Sequence, residues 1–398
     1  MRLLFLTEWF DPIPAHKGLN FVAGLRDAGH QVEVVTTFPF DGPVSLYRRD
    51  MMNGIPVHRL GHYRSHDASG LRRSLTFLTF FFSALIFGLL RGRRYDVIYA
   101  YHPPITVGLA AALFGGLWKR PFVLDVLDLW PDVVTDSGMA RPVAVDVINH
   151  LCSFVYKRAA AISVPTKGFR LRLMERGVSS SKISLIYNFA DETKARTSGQ
   201  VDLTPLGLQG RFNIIYGGNF GVHQDLGSII AAARLAHASD PRIQLILVGS
   251  GSDEENVRRC AALSPDVVRV LPPVPMSEIG DILAAADLLV VNLADRPIFR
   301  IYLPQKLQFY LAMGKPVLAG LQGEGADVVA DAGAGFAVPP GDVEAMAEKM
   351  LHALSLGPDA LQKMGRSGYA FYMRTMSSGL ATERLLRILE AVEKQRYG

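Results

Sequence analysis

The chain has 398 residues, 49% hydrophobic and 20% charged, with 42 Lys and Arg against 37 Asp and Glu for a formal net charge of +5. That length predicts two domains of ordinary size whose cores need no staples, and the two cysteines, Cys152 and Cys260, have neither metal-ligand nor redox spacing, which points to a reducing compartment. The mild basicity suits a phosphorylated or acidic-lipid partner, while the lack of a Lys/Arg run interleaved with aromatics excludes a nucleic-acid footprint.

The N-terminus begins apolar after Arg2, but Glu8 cuts the run to about four residues, short of the ~7–15 of a signal-peptide core. Residues 3–6 therefore read as a first buried parallel strand. The loop over residues 12–20 ends in Lys17-Gly18, placed to meet a phosphate or the acceptor side of a cleft. A helix over 19–27, a strand over 32–36 and a further strand over 55–59 follow. Residues 74–90 carry no charge and are framed by Arg72-Arg73 and by Arg91, Arg93 and Arg94. Spanning a bilayer takes about 20 residues, and arginines on both flanks give no orientation. A buried core helix is the plain alternative. The preferred reading is a helix lying in the cytoplasmic leaflet, because a core rarely needs Phe77, Phe80, Phe81 and Phe82 within six positions.

Strands over 97–100, 122–126, 161–164 and 183–187 then alternate with helices over 105–114, 143–157 and 167–175. His102 follows the first of these strands and is a candidate acid–base residue, with a loop histidine without chemistry as the alternative. The run Asp125–Asp132 places three carboxylates and Trp130 at a strand end, costly unless paired or solvated. Asp128 is the one expected to face a cleft, with Trp130 beside the acceptor; Asn188 and Asp191 read as structural hinge residues.

Residues 191–210 are polar and aperiodic and form the linker. The same grammar restarts with strands over 213–216, 244–248, 267–271, 288–292 and 316–319, then helices over 346–354, 361–371 and 381–394. Alternating strands and helices with nearly continuous apolar strands predict α/β architecture: two Rossmann-like parallel-sheet domains facing each other across a cleft. The boundaries are 1–195, 210–375 and a C-terminal helix over 376–398 packing back towards the first domain.

Ligands of such sheets bind beyond the carboxyl ends of the strands. There the second domain has Gly217-Gly218-Asn219 and Gly249-Ser250-Gly251, two turns that let backbone approach a phosphate, and Val274 beyond the 267–271 strand. Neither turn is a full dinucleotide or Walker sequence, so hydride transfer and ATP hydrolysis lose support. Pro304 starts a helix with Leu307, Tyr310 and Leu311 as its buried stripe, and Gly314 ends it. Lys306 sits in the first turn of this helix, at the positive end of its dipole, with Arg296 and Arg300 upstream. Cations crowded at a helix start call for an anion, and phosphate is the usual one. Lys306, Arg300, Leu307 and the glycine turns are the expected donor site.

With these pieces in order, the chain resembles the retaining nucleotide-sugar glycosyltransferases of the GT-B type, family 4, over nearly its full length. The matching segments are residues 23–36, 96–104, 128–132 (DLWPD), 186–191, 216–221 (YGGNFG), 248–253 and 303–320. DLWPD and the Lys306 helix are most similar to the subgroup that builds lipopolysaccharide O-chains or capsule on lipid-linked acceptors at the cytoplasmic face of the bacterial inner membrane. The resemblance implies retention, a nucleotide-diphosphate sugar such as a UDP-sugar as substrate, a polyprenyl-linked or saccharide acceptor, and no cofactor or catalytic metal. His102, Asp128 and Lys306 carry the expected catalysis. The sequence departs from the family at the glutamates of its E-x7-E pattern, where Ile301 and Phe309 stand, and at the Arg and Lys that often follow the YGG-type loop, where Asn219 and Gln224 stand. A nucleotide-sugar 2-epimerase of the same fold, or a non-catalytic donor-binding or membrane-bound subunit, are the alternatives.

Overall fold

The structure, a computed structural model, describes residues 1–13, 17–39, 45–64, 70–102, 104–136, 142–196, 199, 204 and 207–395. The chain divides into two units, Met1–Tyr187 with the segment from Ala381 onward, and Asn188–Leu380. The division falls at Tyr187/Asn188, directly after the last strand of the first sheet, ahead of the polar linker.

In the first unit the elements run β1 (Arg2–Thr7), α1 (Leu19–Asp27), β2 (Gln31–Thr37), β3 (Tyr47–Met52), β4 (Ile55–Leu60), α2 (Gly70–Arg91), β5 (Val97–His102), α3 (Ile105–Leu117), β6 (Phe122–Val126), α4 (Asp132–Asp136), α5 (Pro142–Arg158), β7 (Ala161–Val164), α6 (Lys167–Glu175) and β8 (Ile183–Leu185). They form one sheet in the order β3-β4-β2-β1-β5-β6-β7-β8. Every pairing is parallel except β3 on β4. The antiparallel edge strand was not expected: the run YRRDMM lacks the apolar continuity of a buried strand because it is an exposed edge. The central strands are apolar along their length since helices cover both faces. The order reverses between β1 and β5, so the switch point of this sheet lies at their carboxyl ends.

Helix α2 corrects the argument made from its phenylalanines. Phe80, Phe81, Ala84 and Phe87 are buried, and Gly88 lies against the Phe114 ring of α3 while its carbonyl accepts the Trp118 indole N–H at 3.1 Å. Only Phe82 of the quartet faces outward. The exposed stripe is instead Leu75, Leu78, Phe82 (56% exposed), Ile86, Leu89 and Leu90 (78%). By length and composition α2 is long and apolar enough to cross a membrane.

The second unit continues with β9 (Phe212–Gly217), α7 (Leu226–Ser239), β10 (Ile243–Val248), α8 (Glu254–Ala262), β11 (Val268–Leu271), α9 (Ile279–Ala284), β12 (Leu288–Asn292), α10 (Gln305–Ala312), β13 (Val317–Gly320), α11 (Glu324–Ala332), β14 (Gly335–Val338) and α12 (Val343–Thr375), which breaks at Gly357 ahead of Pro358. α13 (Ser378–Lys394) then leads out of this unit. The sheet order is β11-β10-β9-β12-β13-β14, entirely parallel. Numbered within the unit this is 3-2-1-4-5-6, the Rossmann order, with its switch point between β9 and β12. The molecule is thus two α/β domains of Rossmann type.

Candidate active site

In the second unit the switch point is built from the turn after β9, the turn after β10 and the start of α10. The two glycine turns lie edge to edge. Gly218 N–H donates to the Val248 carbonyl at 2.8 Å and Phe220 N–H to that of Ser250 at 2.8 Å. A Cβ at Gly249 would fall 1.9 Å from the Gly218 carbonyl oxygen, and both residues have φ in the left-handed range, +138° and +149°. Glycine is required at Gly249 by backbone crowding and at Gly218 by its left-handed φ. Tyr310 and Lys306, one turn apart on α10, reach the same loop. The Tyr310 hydroxyl accepts the Gly217 N–H at 3.1 Å, and the Lys306 side chain lies across Gly218, where a Cβ would meet its Cε at 2.3 Å.

Lys306 Nζ stands 5.0 Å from the Tyr216 ring centroid. It has no hydrogen bond or ion pair among the described residues, and burial pulls its pKa down to about 8. A cation desolvated, stacked on an aromatic face and left without a carboxylate is a site for an anion. Asn219 and Gln224 do not replace the missing cations. Gln224 Oε1 accepts the Gly221 N–H at 3.0 Å and lies 3.4 Å from Asn219 Nδ2, which holds the loop in shape. Asn292, ending β12, was not anticipated. Its amide donates to the carbonyls of Gln224 and Asp225 at 3.2 and 3.1 Å and pins the left-handed turn at Asp225, a role with no signature beyond an Asn closing an apolar strand.

Two members of the expected donor set are corrected. Arg300 is 54% exposed and pairs with Asp295 at 3.5 Å, so its charge is already opposed. The Leu307 side chain is fully buried and belongs to the core. Val274 is half-buried in the loop after β11, and Gly251 packs against the Phe220 carbonyl and Asn219.

In the first unit the structure sorts the three carboxylates of residues 125–132. Asp125 is 1% exposed and forms an ion pair with Lys17, also 1% exposed; it further accepts from the Tyr99 hydroxyl at 2.5 Å and the Ser163 hydroxyl at 2.8 Å. Lys17 is therefore a buried anchor of the sheet rather than a phosphate or acceptor ligand, which corrects that expectation. Its ammonium has Phe21, Tyr99 and Tyr101 around it. Gly18 is likewise structural, preceding α1 while Leu19 N–H donates to Asp11 at 2.6 Å. Asp132 pairs with Arg172 at 3.0 Å and Arg176 at 2.6 Å. Only Asp128 has no partner among the described residues. Burial raises its pKa to about 6, against the opposing charge of Arg73 on α2. Trp130 is half-buried, edge-on to Phe77 of α2 at 6.4 Å, with its carbonyl accepting from Arg176 at 2.6 Å. His102 ends β5, and its side chain lies outside the described residues.

One residue was missed. Glu8, which served only to interrupt an apolar run, follows β1 directly and is 3% exposed. Its Oε2 has no hydrogen-bond partner among the described residues, and burial raises its pKa to about 7, again opposed by Arg73. Its backbone is fixed, because the Glu8 carbonyl accepts from the Thr36 and Thr37 hydroxyls at 3.1 and 2.7 Å. A charge placed inside an apolar strand's last turn was the available signal.

Comparison with known proteins finds glycosyltransferase families over both halves of the chain. Residues 19–188 match the glycosyl transferase 4-like domain family and residues 211–355 the glycosyl transferases group 1 family. A GDP-mannose-dependent monoacylated alpha-(1-6)-phosphatidylinositol monomannoside mannosyltransferase of Corynebacterium glutamicum is 30% identical over 171 residues; the match spans 41% of this chain and 43% of that protein. Among solved structures, Anabaena HepE in complex with UDP superposes with a TM-score of 0.73 at 16% identity, over 98% of this chain and 100% of that one. Sucrose-phosphate synthase of Thermosynechococcus elongatus gives 0.70 at 17% identity over 98% and 99%. These two likenesses establish the fold.

Proposed function

We propose, for a chain whose two halves belong to the glycosyltransferase 4-like and group 1 families, the transfer of a sugar from a nucleotide-diphosphate donor held by the second unit to an acceptor held by the first. The observation that carries this reading is Lys306, an unopposed, desolvated cation lying over the glycine turns at the switch point of the second sheet. When the anomeric C–O bond breaks, negative charge accumulates on the departing diphosphate, and a preorganised cation in a partly dry site stabilises that charge without reorganisation. Backbone at the two glycine turns and the first turn of α10 adds dipoles of the same sense. His102 and Asp128 serve the acceptor side. The reaction keeps the anomeric configuration and needs no cofactor or metal.

The acceptor is lipid-linked, in surface-polysaccharide synthesis at the cytoplasmic face of the membrane. Supporting this are the exposed apolar stripe of α2 with Arg72, Arg73, Arg91, Arg93 and Arg94 at its ends, and the lipid acceptor named for the corynebacterial relative. Thermal shift against UDP-, GDP- and dTDP-sugars, followed by transfer to lipid-extracted acceptors with the stabilising donor, tests the reading. Stabilisation by one donor class and a glycosylated lipid product are expected. An isomerised nucleotide sugar formed without acceptor indicates a 2-epimerase instead, and no response to any nucleotide refutes both.

A further inference from the structure

At the amino edge of the first sheet lies a cavity of about 360 Å³ that neither the donor nor the acceptor reading uses. Its walls include Gly116 of α3, the Lys119-Arg120 turn beyond it, Phe122 at the start of β6, Arg158 at the end of α5 and Val392 of α13. β6 has five residues at about 3.3 Å each, which sets the cavity about 17 Å from the carboxyl edge where Asp128 stands. Lys119, Arg120 and Arg158 line it, and no carboxylate does among the described residues. None of the three makes an ion pair among those residues. Helix ends draw cations to their free carbonyls, but several carbonyls here already have donors. That of Gly115 accepts the Arg120 N–H at 2.8 Å, and those of Lys157 and Ala159 accept the Lys182 ammonium at 3.1 Å each. Arg120 is the costly member. Its Nη2 donates to the Arg93 carbonyl at 2.7 Å, while its Nε is buried with no hydrogen-bond partner among the described residues. A buried donor left unmet calls for an acceptor. Lys119 holds a left-handed backbone, φ +51°, which a lysine adopts only at a cost.

We propose that this cavity binds a phosphate ester, at a second phosphate site separate from the donor turns of the second unit. Three unopposed cations in a concavity focus a positive potential, and the guanidinium forks of Arg120 and Arg158 match phosphate oxygens. A phosphate monoester carries close to two negative charges, which suits three cations better than a single carboxylate does. Glycine keeps the space open: a Cβ on Gly116 would have Arg158 Nη1, at 3.6 Å, as its nearest neighbour outside the helix backbone. A longer side chain there grows into the cavity beside that guanidinium. Two sources carry the group, a soluble sugar or glycerol phosphate and the headgroup of an anionic phospholipid. The second is within reach because Arg120 is bonded to the turn that ends α2, and Leu90 (78% exposed) and Leu117 (60%) stand uncovered at the ends of α2 and α3. The site takes no part in bond making, and its occupancy adds to the stability of the first unit.

The test uses Lys306→Met protein, so that the donor turns contribute little. The probes are glycerol 3-phosphate, read by titration calorimetry, and vesicles of phosphatidylcholine with or without phosphatidylglycerol, read by sedimentation. Three further substitutions are compared. Gly116→Met keeps every charge and fills the cavity; Gly116 is exposed on a helix and methionine is the better helix former, so this variant should fold. Arg158→Gln and Lys119→Gly each remove one charge. Gly116→Met and Arg158→Gln are each expected to weaken binding about tenfold or more. Lys119→Gly should weaken it too while holding or raising Tm, a split that a merely structural lysine would not give. Glycerol 3-phosphate binding that Gly116→Met abolishes assigns a soluble ester. Binding to phosphatidylglycerol vesicles alone, again abolished by Gly116→Met, assigns a headgroup. Loss with the charge substitutions but not with Gly116→Met reports diffuse surface charge and overturns the site, as does a lack of binding to both probes. In an otherwise wild-type chain Gly116→Met should keep the full nucleotide-induced shift in Tm, so failure of the cavity leaves the transfer reading intact.

Discussion

Replacing Lys306 with Met should make the free protein more stable and blind to nucleotide. The folded state holds this lysine near 8 against an ordinary 10.5, so below pH 8 its charge costs folding about 3 kcal/mol at ~1.4 kcal/mol per pH unit. Two corrections reduce that. The side chain is half-buried rather than sealed, and the stacking on Tyr216 returns about 0.5–1 kcal/mol. A net gain of about 1–2 kcal/mol remains, which is roughly 2–8 °C for a unit of this size. The sign is definite: for a lysine depressed in the folded state the penalty is full below pH 8 and fades between 8 and 10.5, where the unfolded chain binds the extra proton. Wild type should therefore gain stability on the alkaline side, and the Met variant should not. Differential scanning fluorimetry across pH 6–11, with and without UDP or GDP, reads both effects. Saturating nucleotide at ~100 Kd is worth about 2.7 kcal/mol to wild type and should be worth little to Lys306→Met. A Met variant less stable than wild type, or one with an undiminished nucleotide shift, refutes the assignment of Lys306 as an unopposed cation awaiting diphosphate.

Other outcomes follow from the same contacts. Gly249→Ala drives a Cβ to 1.9 Å from the Gly218 carbonyl at φ +149° and should cost at least ~3 kcal/mol in urea unfolding of the second unit. Lys17→Met alone strands Asp125 in the core and should cost about 3–5 kcal/mol, whereas Lys17→Met with Asp125→Leu should recover most of it; additive losses would deny the pair its role. On α2, Ile86→Glu should halve or better the sedimentation with anionic liposomes at unchanged Tm, while Phe80→Ala should cost about 3–5 kcal/mol and leave liposome binding per folded molecule intact.

Periodicity carried the fold a long way because buried parallel strands are apolar by necessity, as β1, β6 and β10 show. What escaped it were elements whose sequence obeys solvent rather than core: β3, a charged edge strand, and β14, four residues of which only Val338 is buried. At the site, Lys306 and the glycine turns were legible because a cation at a helix start and glycines after strands have local causes. Lys17 and Asp125 were not, since they are 108 positions apart and nothing local announces that they neutralise each other. The phenylalanines of α2 misled for a related reason: composition says how apolar a helix is, and only its angular position relative to α3 says which residues face out.

Charge pairing sorts the candidates better than residue type does. The chain presents many cations and carboxylates at its strand ends, and the fold cancels most of them: Lys17 against Asp125, Asp132 against Arg172 and Arg176, Arg300 against Asp295. Lys306 in the second unit, and Glu8 and Asp128 in the first, stay uncancelled, each at the carboxyl edge of a sheet. The departure at Ile301 and Phe309 belongs to the same logic. A glutamate at 309 would stand three residues from Lys306 on α10 and oppose the lysine that now stands alone, and one at 301 would add negative charge to the turn just upstream. On the reading proposed above, the second unit would meet its donor with Lys306 as an unopposed positive centre rather than a balanced set of charges. Recognition on that reading would weigh on the diphosphate more than on the sugar hydroxyls, and the missing glutamates and the unpaired lysine would be two views of one electrostatic arrangement.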